Sequence, residues 1–121
     1  HGDMYRDFTY VEDLVRAISL LADTVPGDSP VTENDNLSVA APYRVVNIGN
    51  STKVKLLDFI EEIENILGKT AIRNYMGMQK GDVPATWADA TLLRSLTGYQ
   101  PETDFKDGVN KFISWYLEEY S

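Results

Sequence analysis

The chain has 121 residues and a formal net charge of −8, with 43% hydrophobic and 25% charged residues. This length suits one modest domain with its own core, and the acidic balance excludes nucleic acid or an anionic membrane as the expected main partner. A nucleotide is not excluded, because one well-placed arginine can bind a diphosphate. Cysteine is absent and the one histidine is His1, so we expect no disulfide, no metal site and no internal Ser-His-Asp triad. No apolar run approaches the ~18 residues of a membrane span and no signal peptide is visible, so a cytoplasmic protein is expected.

The first predicted elements are a short strand over residues 5–10 and a helix directly after it. Thr9 and Glu12 have the spacing of a capping box, with Thr9 as the N-cap. Residues 24–42 are rich in Pro, Gly, Ser, Asp and Asn, which predicts a flexible loop. The apolar positions at helical spacing are expected to face inward; they are Val11, Leu14, Val15, Ile18, Leu21 and Ala22.

The middle of the chain predicts a strand, a helix and another strand. Residues 43–50 form a β-rich run that is typical of a buried strand. An amphipathic helix at 55–67 follows, and Gly68 is its expected stop. Residues 71–76 are predicted as a third strand.

Two helices complete the prediction, a short one capped by Asp89 and closed by Gly98, and a last one over 104–120. The order is α/β, with a small sheet and about four main helices, more helix than so small a sheet can cover. We therefore interpret 1–121 as a single domain, and as part of a longer chain because its first motif begins within a few residues of His1. Trp87 and Trp115 are expected to be packing anchors. The residues of the last helix expected to be buried are Val109, Phe112, Ile113, Tyr116 and Tyr120.

Two places carry candidate binding residues. In the run 79–90, Gly81 allows close backbone approach, Asp82 offers a carboxylate and Pro84 stiffens the exit. That run is either an ordinary Gly-Asp turn or a ligand-contacting turn. Arg6 either forms a surface pair with the adjacent Asp7 or offers its planar guanidinium to a phosphate or carboxylate.

Redox machinery is absent from the sequence. There is no Gly-x-Gly-x-x-Gly loop, and no tyrosine is followed by a lysine four residues later. We therefore predict no catalytic residue, no cofactor-binding residue and no activity for this chain alone.

Three segments, 6–18, 41–64 and 81–116, resemble extended short-chain dehydrogenase/reductases that act on nucleotide sugars. The first, RDFTYVEDLVRAI, is similar to their Arg-Asp-Phe/Tyr-x-Tyr/His-Val-x-Asp segment, and the last to their C-terminal signature. The middle segment is similar to the UDP-glucuronate 4-epimerase branch. The resemblance implies the C-terminal, substrate-binding part of a Rossmann-type enzyme whose missing N-terminal part binds NAD and supplies a Tyr/Lys pair.

The resemblance also implies roles for single residues. Arg6 matches the arginine that contacts the UDP phosphates, and Asp82 the aspartate that hydrogen-bonds the ribose. Gln79 stands where hexose 4-epimerases place a phosphate-binding arginine, and Lys80 replaces the proline of the glucuronate branch, which puts the turn shape in question.

The expected partner is therefore a UDP-sugar, and the expected reaction of the whole enzyme is the interconversion of UDP-glucuronate and UDP-galacturonate for polysaccharide synthesis. The resemblance implies a parent homodimer formed through its N-terminal half. The alternatives are a related hexose epimerase, dehydratase or decarboxylase, and a non-catalytic acidic protein-interaction module.

Overall fold

The computed structural model describes residues 2–120, so His1 lies outside the described residues. These residues form four helices and a two-stranded sheet, which confirms the expected α/β chain with a small sheet and about four main helices. Within residues 2–120, no helix is long and apolar enough to cross a membrane. In chain order the elements are β1 (Tyr5–Arg6), α1 (Val11–Ala22), β2 (Val54–Lys55), α2 (Leu56–Leu67), α3 (Thr91–Thr97) and α4 (Phe105–Tyr120).

The sheet is antiparallel, with Tyr5 opposite Lys55 and Arg6 opposite Val54. The predicted strand over 5–10 is wrong beyond Arg6. The ladder ends at Arg6 and Val54. Beyond it, the side chain of Asp7 accepts the N–H groups of Asn50 and Ser51, which precede β2 in the chain.

The predicted capping box at the start of α1 is also wrong. The N-cap is Tyr10, and no side chain caps the helix. The helix begins one residue later than expected, so Glu12 occupies the second helical position and cannot reach back as a capping box requires. Glu12 and Asp13 still place negative charge in the first turn, where the helix dipole favours it.

The core lies between α1 and α3, and the residue that α1 contributes to its centre is the small Ala17. Ala17, Ala90 and Leu93 are fully or almost fully buried, and Leu21, Val46, Ile48 and Tyr99 pack around them. The predicted inward face of α1 is wrong in large part, because Val11, Val15 and Ile18 are more than half exposed. α1 turns Ala17 towards Leu93, and nothing within residues 2–120 covers its larger apolar face.

The segment 43–50 is extended but belongs to no sheet, so the predicted strand is wrong as a paired element. Its burial alternates, with Val46 and Ile48 packed on the core and Val45 and Asn47 exposed. The side-chain amide of Asn36 replaces a strand partner at Val45, where it donates to the carbonyl and accepts from the N–H. From Val46 to Gly49, no backbone N–H donates to an acceptor within the described chain.

The predicted strand at 71–76 is wrong as well, because no neighbouring strand pairs with this exposed segment. Side-chain contacts with α2 hold it instead. Glu64 accepts the N–H of Ala71 at 2.9 Å and pairs with the guanidinium of Arg73 at 2.9 Å. The Ala71 N–H and then the Arg73 guanidinium lower the pKa of Glu64.

The helices α2 and α4 pack against each other in a second layer. Gly68, with a φ of 64°, ends α2 as predicted. On α4 the buried residues are Gly108, Val109 and Ile113. The predicted burial of Phe112, Tyr116 and Tyr120 is wrong: these rings are 54%, 47% and 69% exposed. They flank the buried stripe and contact one another along the helix, as in the Tyr116–Tyr120 ring pair at 5.1 Å.

The short helix α3 has the predicted stop at Gly98, but the predicted cap at Asp89 is wrong, because the N-cap is Ala90 and no side chain caps the helix. Gly98 adopts a φ of 71° at its end. Asp89 accepts the N–H and the hydroxyl of Thr91 one position before the N-cap Ala90, and these hydrogen bonds lower the pKa of Asp89.

The segment 24–42 contains neither helix nor strand. Its flexibility stays a prediction. Asp35, in the second half of the segment, forms an ion pair with Arg44, which follows the segment in the chain. Arg44 donates from Nε and Nη2 to the two carboxylate oxygens of Asp35, each at 2.8 Å, with side-chain exposures of 5% and 0%. Asp35 also accepts the N–H groups of Val31 and Leu37, which anchors the second half of the segment.

Candidate functional site

Arg6 and Asp82 meet although 76 positions separate them in the sequence. Nη2 of Arg6 lies 3.0 Å from Oδ1 of Asp82, and the two side chains are 27% and 42% exposed. Arg6 forms no pair with Asp7, so that alternative is wrong. The structure therefore places two of the three predicted binding residues side by side.

The carboxylate of Asp82 sits at the end of a tight turn. The N–H of Asp82 donates to the carbonyl of Gln79 at 3.1 Å, and Gly81 has a φ of 91° at the third position. A positive φ there is the feature that makes glycine necessary in a type II turn. The turn closes with Lys80 at its second position. Gln79, the third predicted binding residue, is exposed, and its side chain makes no hydrogen bond within residues 2–120.

The segment after the turn runs along β1 in parallel and fixes the turn to it. Tyr5 donates its N–H to the carbonyl of Pro84 at 2.9 Å and accepts from the N–H of Thr86 at 3.1 Å. Nη1 of Arg6 adds bonds to the carbonyls of Tyr5 at 2.8 Å and Val83 at 3.0 Å. The guanidinium is thus held by backbone on one side and by a carboxylate on the other.

Two donors of Arg6 stay available. Of the five N–H groups of a guanidinium, Nη1 uses two and Nη2 one, while Nε–H and the second Nη2 hydrogen take no partner in the described part of the chain. Oδ2 of Asp82 likewise accepts no hydrogen bond there. A preset arginine with two free donors beside a free carboxylate oxygen can bind an anion and a neighbouring hydroxyl together.

Asp7, which sequence reasoning treated only as a partner for Arg6, joins three segments. Its carboxylate accepts the backbone N–H groups of Asn50, Ser51 and Ala88 at 3.1, 2.9 and 3.2 Å. Asp7, Asn47 and Trp87 border a cleft of about 380 Å³. Neither Arg6 nor Asp82 lines this cleft, and both side chains are partly exposed.

Trp87 and Trp115 are not packing anchors within residues 2–120, since they are 52% and 49% exposed. The ammonium of Lys53 lies 3.7 Å from the ring centre of Trp87. That contact occupies one ring face of Trp87 with a positive charge.

Neither a metal nor a dinucleotide fits the residues present. No group of three or more His, Cys, Asp or Glu side chains within residues 2–120 could hold a metal ion. None of the helices within residues 2–120 is preceded by the Gly-x-Gly-x-x-Gly pattern that binds a pyrophosphate.

Comparison with known proteins defines the class of the chain. Residues 1–112 match the family model described as GDP-mannose 4,6 dehydratase, and the chain belongs to that family. It is 49% identical to Protein CapI of Staphylococcus aureus, with 99% of this chain and 37% of the relative covered. It is 43% identical to the probable UDP-glucuronate 4-epimerase of Rhizobium meliloti, with 98% and 36% covered.

A solved structure has a similar fold. The UDP-glucuronic acid 4-epimerase of Bacillus cereus, in complex with UDP-glucuronic acid and NAD, superposes with a TM-score of 0.74 at 27% identity. The match covers 98% of this chain and 34% of that one. The chain thus spans about a third of the proteins it matches, and the resemblance to Rossmann-type nucleotide-sugar epimerases is confirmed.

Proposed function

We propose that this chain is the nucleotide-sugar-binding third of an NAD-dependent 4-epimerase that interconverts UDP-glucuronate and UDP-galacturonate. The observation that supports the proposal is the Arg6–Asp82 pair, with its free guanidinium donors and free carboxylate oxygen. In this assignment Arg6 binds the diphosphate and Asp82 the ribose. The relatives and the solved structure named above support the choice of a UDP-sugar.

The preset geometry of Arg6 suits this role. Its Nη1 bonds to two carbonyls hold the guanidinium in place before any ligand arrives, which reduces the ordering cost of binding. The Nε–H and Nη2–H donors can then form charge-assisted bonds to phosphate while the Asp82 contact persists. The ribose hydroxyl next to that phosphate would donate to Oδ2 of Asp82.

Gln79 and Lys80 lie in the turn that carries Asp82. We assign the exposed amide of Gln79 as a donor to phosphate oxygens, and Lys80 as an additional positive charge nearby. Such a charge attracts an anion even when it makes no fixed contact.

NAD would be bound by a part of the protein outside this chain, because the residues present do not form a dinucleotide site. No step of the reaction is therefore assigned to residues of this chain, whose share is to hold the nucleotide while the sugar reacts. This is binding energy used for orientation.

Two surfaces support a place within a larger protein. The backbone N–H groups of Val46–Gly49 have no acceptor within residues 2–120, and a strand of the remaining two thirds would pair with them. A sheet face of that remaining part would cover the exposed apolar face of α1. A homodimer formed by that remaining part, which the family resemblance implies, and a cytoplasmic location complete the proposal.

A chimera tests the proposal. The matched segment of the Rhizobium meliloti relative is replaced by this chain, and the purified chimera is given UDP-glucuronate and NAD⁺. We expect UDP-galacturonate to form. The product identifies the class, because a hexose epimerase, dehydratase or decarboxylase would leave UDP-glucuronate unchanged or give another compound.

A second measurement separates binding from activity. UDP is titrated into the 121-residue chain while backbone NMR signals are followed, with Arg6→Ala as the matched variant. Shifts grouped around Arg6 and Asp82 that Arg6→Ala abolishes support the proposal. An inactive but folded chimera together with no UDP-induced shift would instead favour the non-catalytic interaction module.

A further inference from the structure

The carboxylate of Asp7 is the point where three segments meet. Oδ1 accepts the N–H of Asn50, and Oδ2 accepts the N–H groups of Ser51 and Ala88, all within 3.2 Å. These donors are 43, 44 and 81 positions away in sequence. One side chain thus ties residues 50–51 and the segment 83–88 to the end of β1.

Gly49 makes this junction possible. A Cβ at Gly49 would lie 2.5 Å from the Cβ of Ala88 and 2.8 Å from Oδ2 of Asp7, both closer than real Cβ contacts. Ser51 has a φ of 56°, which is uncommon for a residue other than glycine, and its Oγ accepts the N–H of Ala90. The backbone at Ser51 therefore adopts an unfavourable conformation in the segment that brings the N–H groups of Asn50 and Ser51 to Asp7.

The hydrogen bond between Asp7 and Ala88 affects the surroundings of Arg6, because the segment 83–88 is attached to the β1 region at both of its ends. At one end Tyr5 bonds to Pro84 and Thr86, and at the other Asp7 bonds to Ala88. Arg6 lies between these attachments, and its Nη1 contacts the carbonyl of Val83. If the Ala88 end moved, the carbonyl of Val83 and the carboxylate of Asp82 would shift relative to the guanidinium.

We propose that Asp7 is a positioning residue that sets Arg6 and Asp82 in their ligand-binding geometry by accepting the N–H groups of Asn50, Ser51 and Ala88. The inference rests on the proposed UDP site. Asp7 itself touches no ligand in this scheme, and its carboxylate acts through the three backbone N–H groups that it accepts.

The test compares Asp7→Ala and Asp7→Asn in the full 121-residue chain with the matched control Asp13→Ala. Asp13 also ties distant groups together, the hydroxyl of Tyr99 at 3.0 Å and the N–H of Thr103 at 3.1 Å, but neither of these hydrogen bonds involves β1 or the segment 82–88. Three quantities are measured for each variant: the Kd for UDP, the NMR signal of Arg6 Nε–H, and the urea midpoint of unfolding.

We expect Asp7→Ala to weaken UDP binding by roughly tenfold or more and to shift the Arg6 Nε–H signal. Asp7→Asn should be intermediate, since an amide oxygen can accept at most two of the three N–H groups and its nitrogen accepts none. Asp13→Ala should lower the urea midpoint without changing the Kd or the Arg6 signal.

The proposal is overturned if Asp7→Ala behaves like Asp13→Ala, with reduced stability but an unchanged Kd and Arg6 signal. Should Asp7→Ala fail to fold, Gly49→Ala takes its place, because it keeps the carboxylate and displaces Ala88; an unmoved Arg6 signal in that variant also overturns the proposal. If the wild-type chain does not bind UDP and the folded chimera is inactive, the proposed function fails, while the Arg6 signal still decides whether Asp7 positions Arg6.

Discussion

At the scale of single residues, the Arg6–Asp82 pair is exposed enough that it contributes little to stability. Pairs of this kind contribute a median of about 0–1 kcal/mol, because solvent screens them and side-chain entropy opposes them. The backbone bonds of Arg6 nevertheless hold the guanidinium in a defined place. This fixed position is what the proposed binding role of Arg6 requires.

Substitution of the pair should separate its two roles. We expect Arg6→Ala to cost about 1.5–3 kcal/mol of UDP binding, or roughly ten- to a hundredfold in Kd, because charge-assisted bonds to phosphate are lost. Asp82→Asn should cost less and only for ligands that carry the ribose. Calorimetry with UDP and with pyrophosphate measures both effects, and equal weakening for the two ligands would mean that Asp82 only holds the turn.

Because of the Asp35–Arg44 pair, we expect the stabilisation of the segment 24–42 to be lost at low pH. The Arg44 guanidinium, above all, holds the pKa of Asp35 below its ordinary value. A lowered folded-state pKa means that the stabilisation is fully present above the unfolded value of about 3.9 and is lost as the pH falls through the folded value.

Wild type should therefore be more stable than Asp35→Asn at pH 7, and the difference should shrink as the pH is lowered below about 4. Thermal unfolding from pH 7 to pH 2 measures this, with Asp28→Asn, an exposed aspartate of the same loop, as the control. A difference that stays constant with pH would show that the ion pair does not stabilise the fold. In hydrogen exchange at pH 7, we expect the amides of Val31 and Leu37 to be protected and those of Val25 and residues 27–29 to exchange fast.

At the scale of elements, the contact between α1 and α3 is the centre of the core, and it depends on size matching. Ala17 is small enough to let Leu93 approach, and both are fully buried. Larger apolar side chains of α1, such as Ile18 at 53% exposure, face away. The hydrophobic pattern of α1 therefore does not identify the side that packs within this chain.

Truncation of a buried residue of α3 and of an exposed residue of α1 should lower the free energy of unfolding by unequal amounts. Leu93→Ala should destabilise the chain by about 2–5 kcal/mol, because it leaves a cavity in the core. Ile18→Ala removes a similar aliphatic group from the surface and should cost within about 0.5 kcal/mol. Urea unfolding of the chain measures both, and similar losses would place the core elsewhere.

At the scale of the whole molecule, the chain has surfaces that suit a larger assembly. The extended segment 43–50 packs Val46 and Ile48 inward but leaves backbone N–H groups without acceptors in the described chain. Unpaired strand edges bind further strands readily. The small sheet and the exposed face of α1 fit the same interpretation.

Hydrogen exchange can test this directly. We expect the amides of Val46, Asn47 and Ile48 to exchange rapidly in the 121-residue chain and to be protected in the chimera with the Rhizobium meliloti relative. The amides of α2, which already has its hydrogen bonds, serve as the internal control and should be equally protected in both. Protection of 46–48 that is the same in both proteins would argue against a partner strand.

The sequence alone determined the features that depend on neighbouring residues. Helix periodicity located α2 and α4 to within a residue, glycines marked the ends of α2 and α3, and the motifs around Arg6 and Asp82 indicated the family. These signals are local, because capping, helical spacing and turn formation involve residues a few positions apart.

Only the tertiary structure decided which segments meet. Nothing in the spacing of Arg6 and Asp82 predicts a 3.0 Å contact across 76 positions, and nothing near Asp7 predicts its bonds to Asn50, Ser51 and Ala88. The strands predicted at 43–50 and 71–76 failed for the same reason. A strand exists only when a second backbone satisfies its N–H and C=O groups, and the presence of that partner is a property of the fold rather than of the segment.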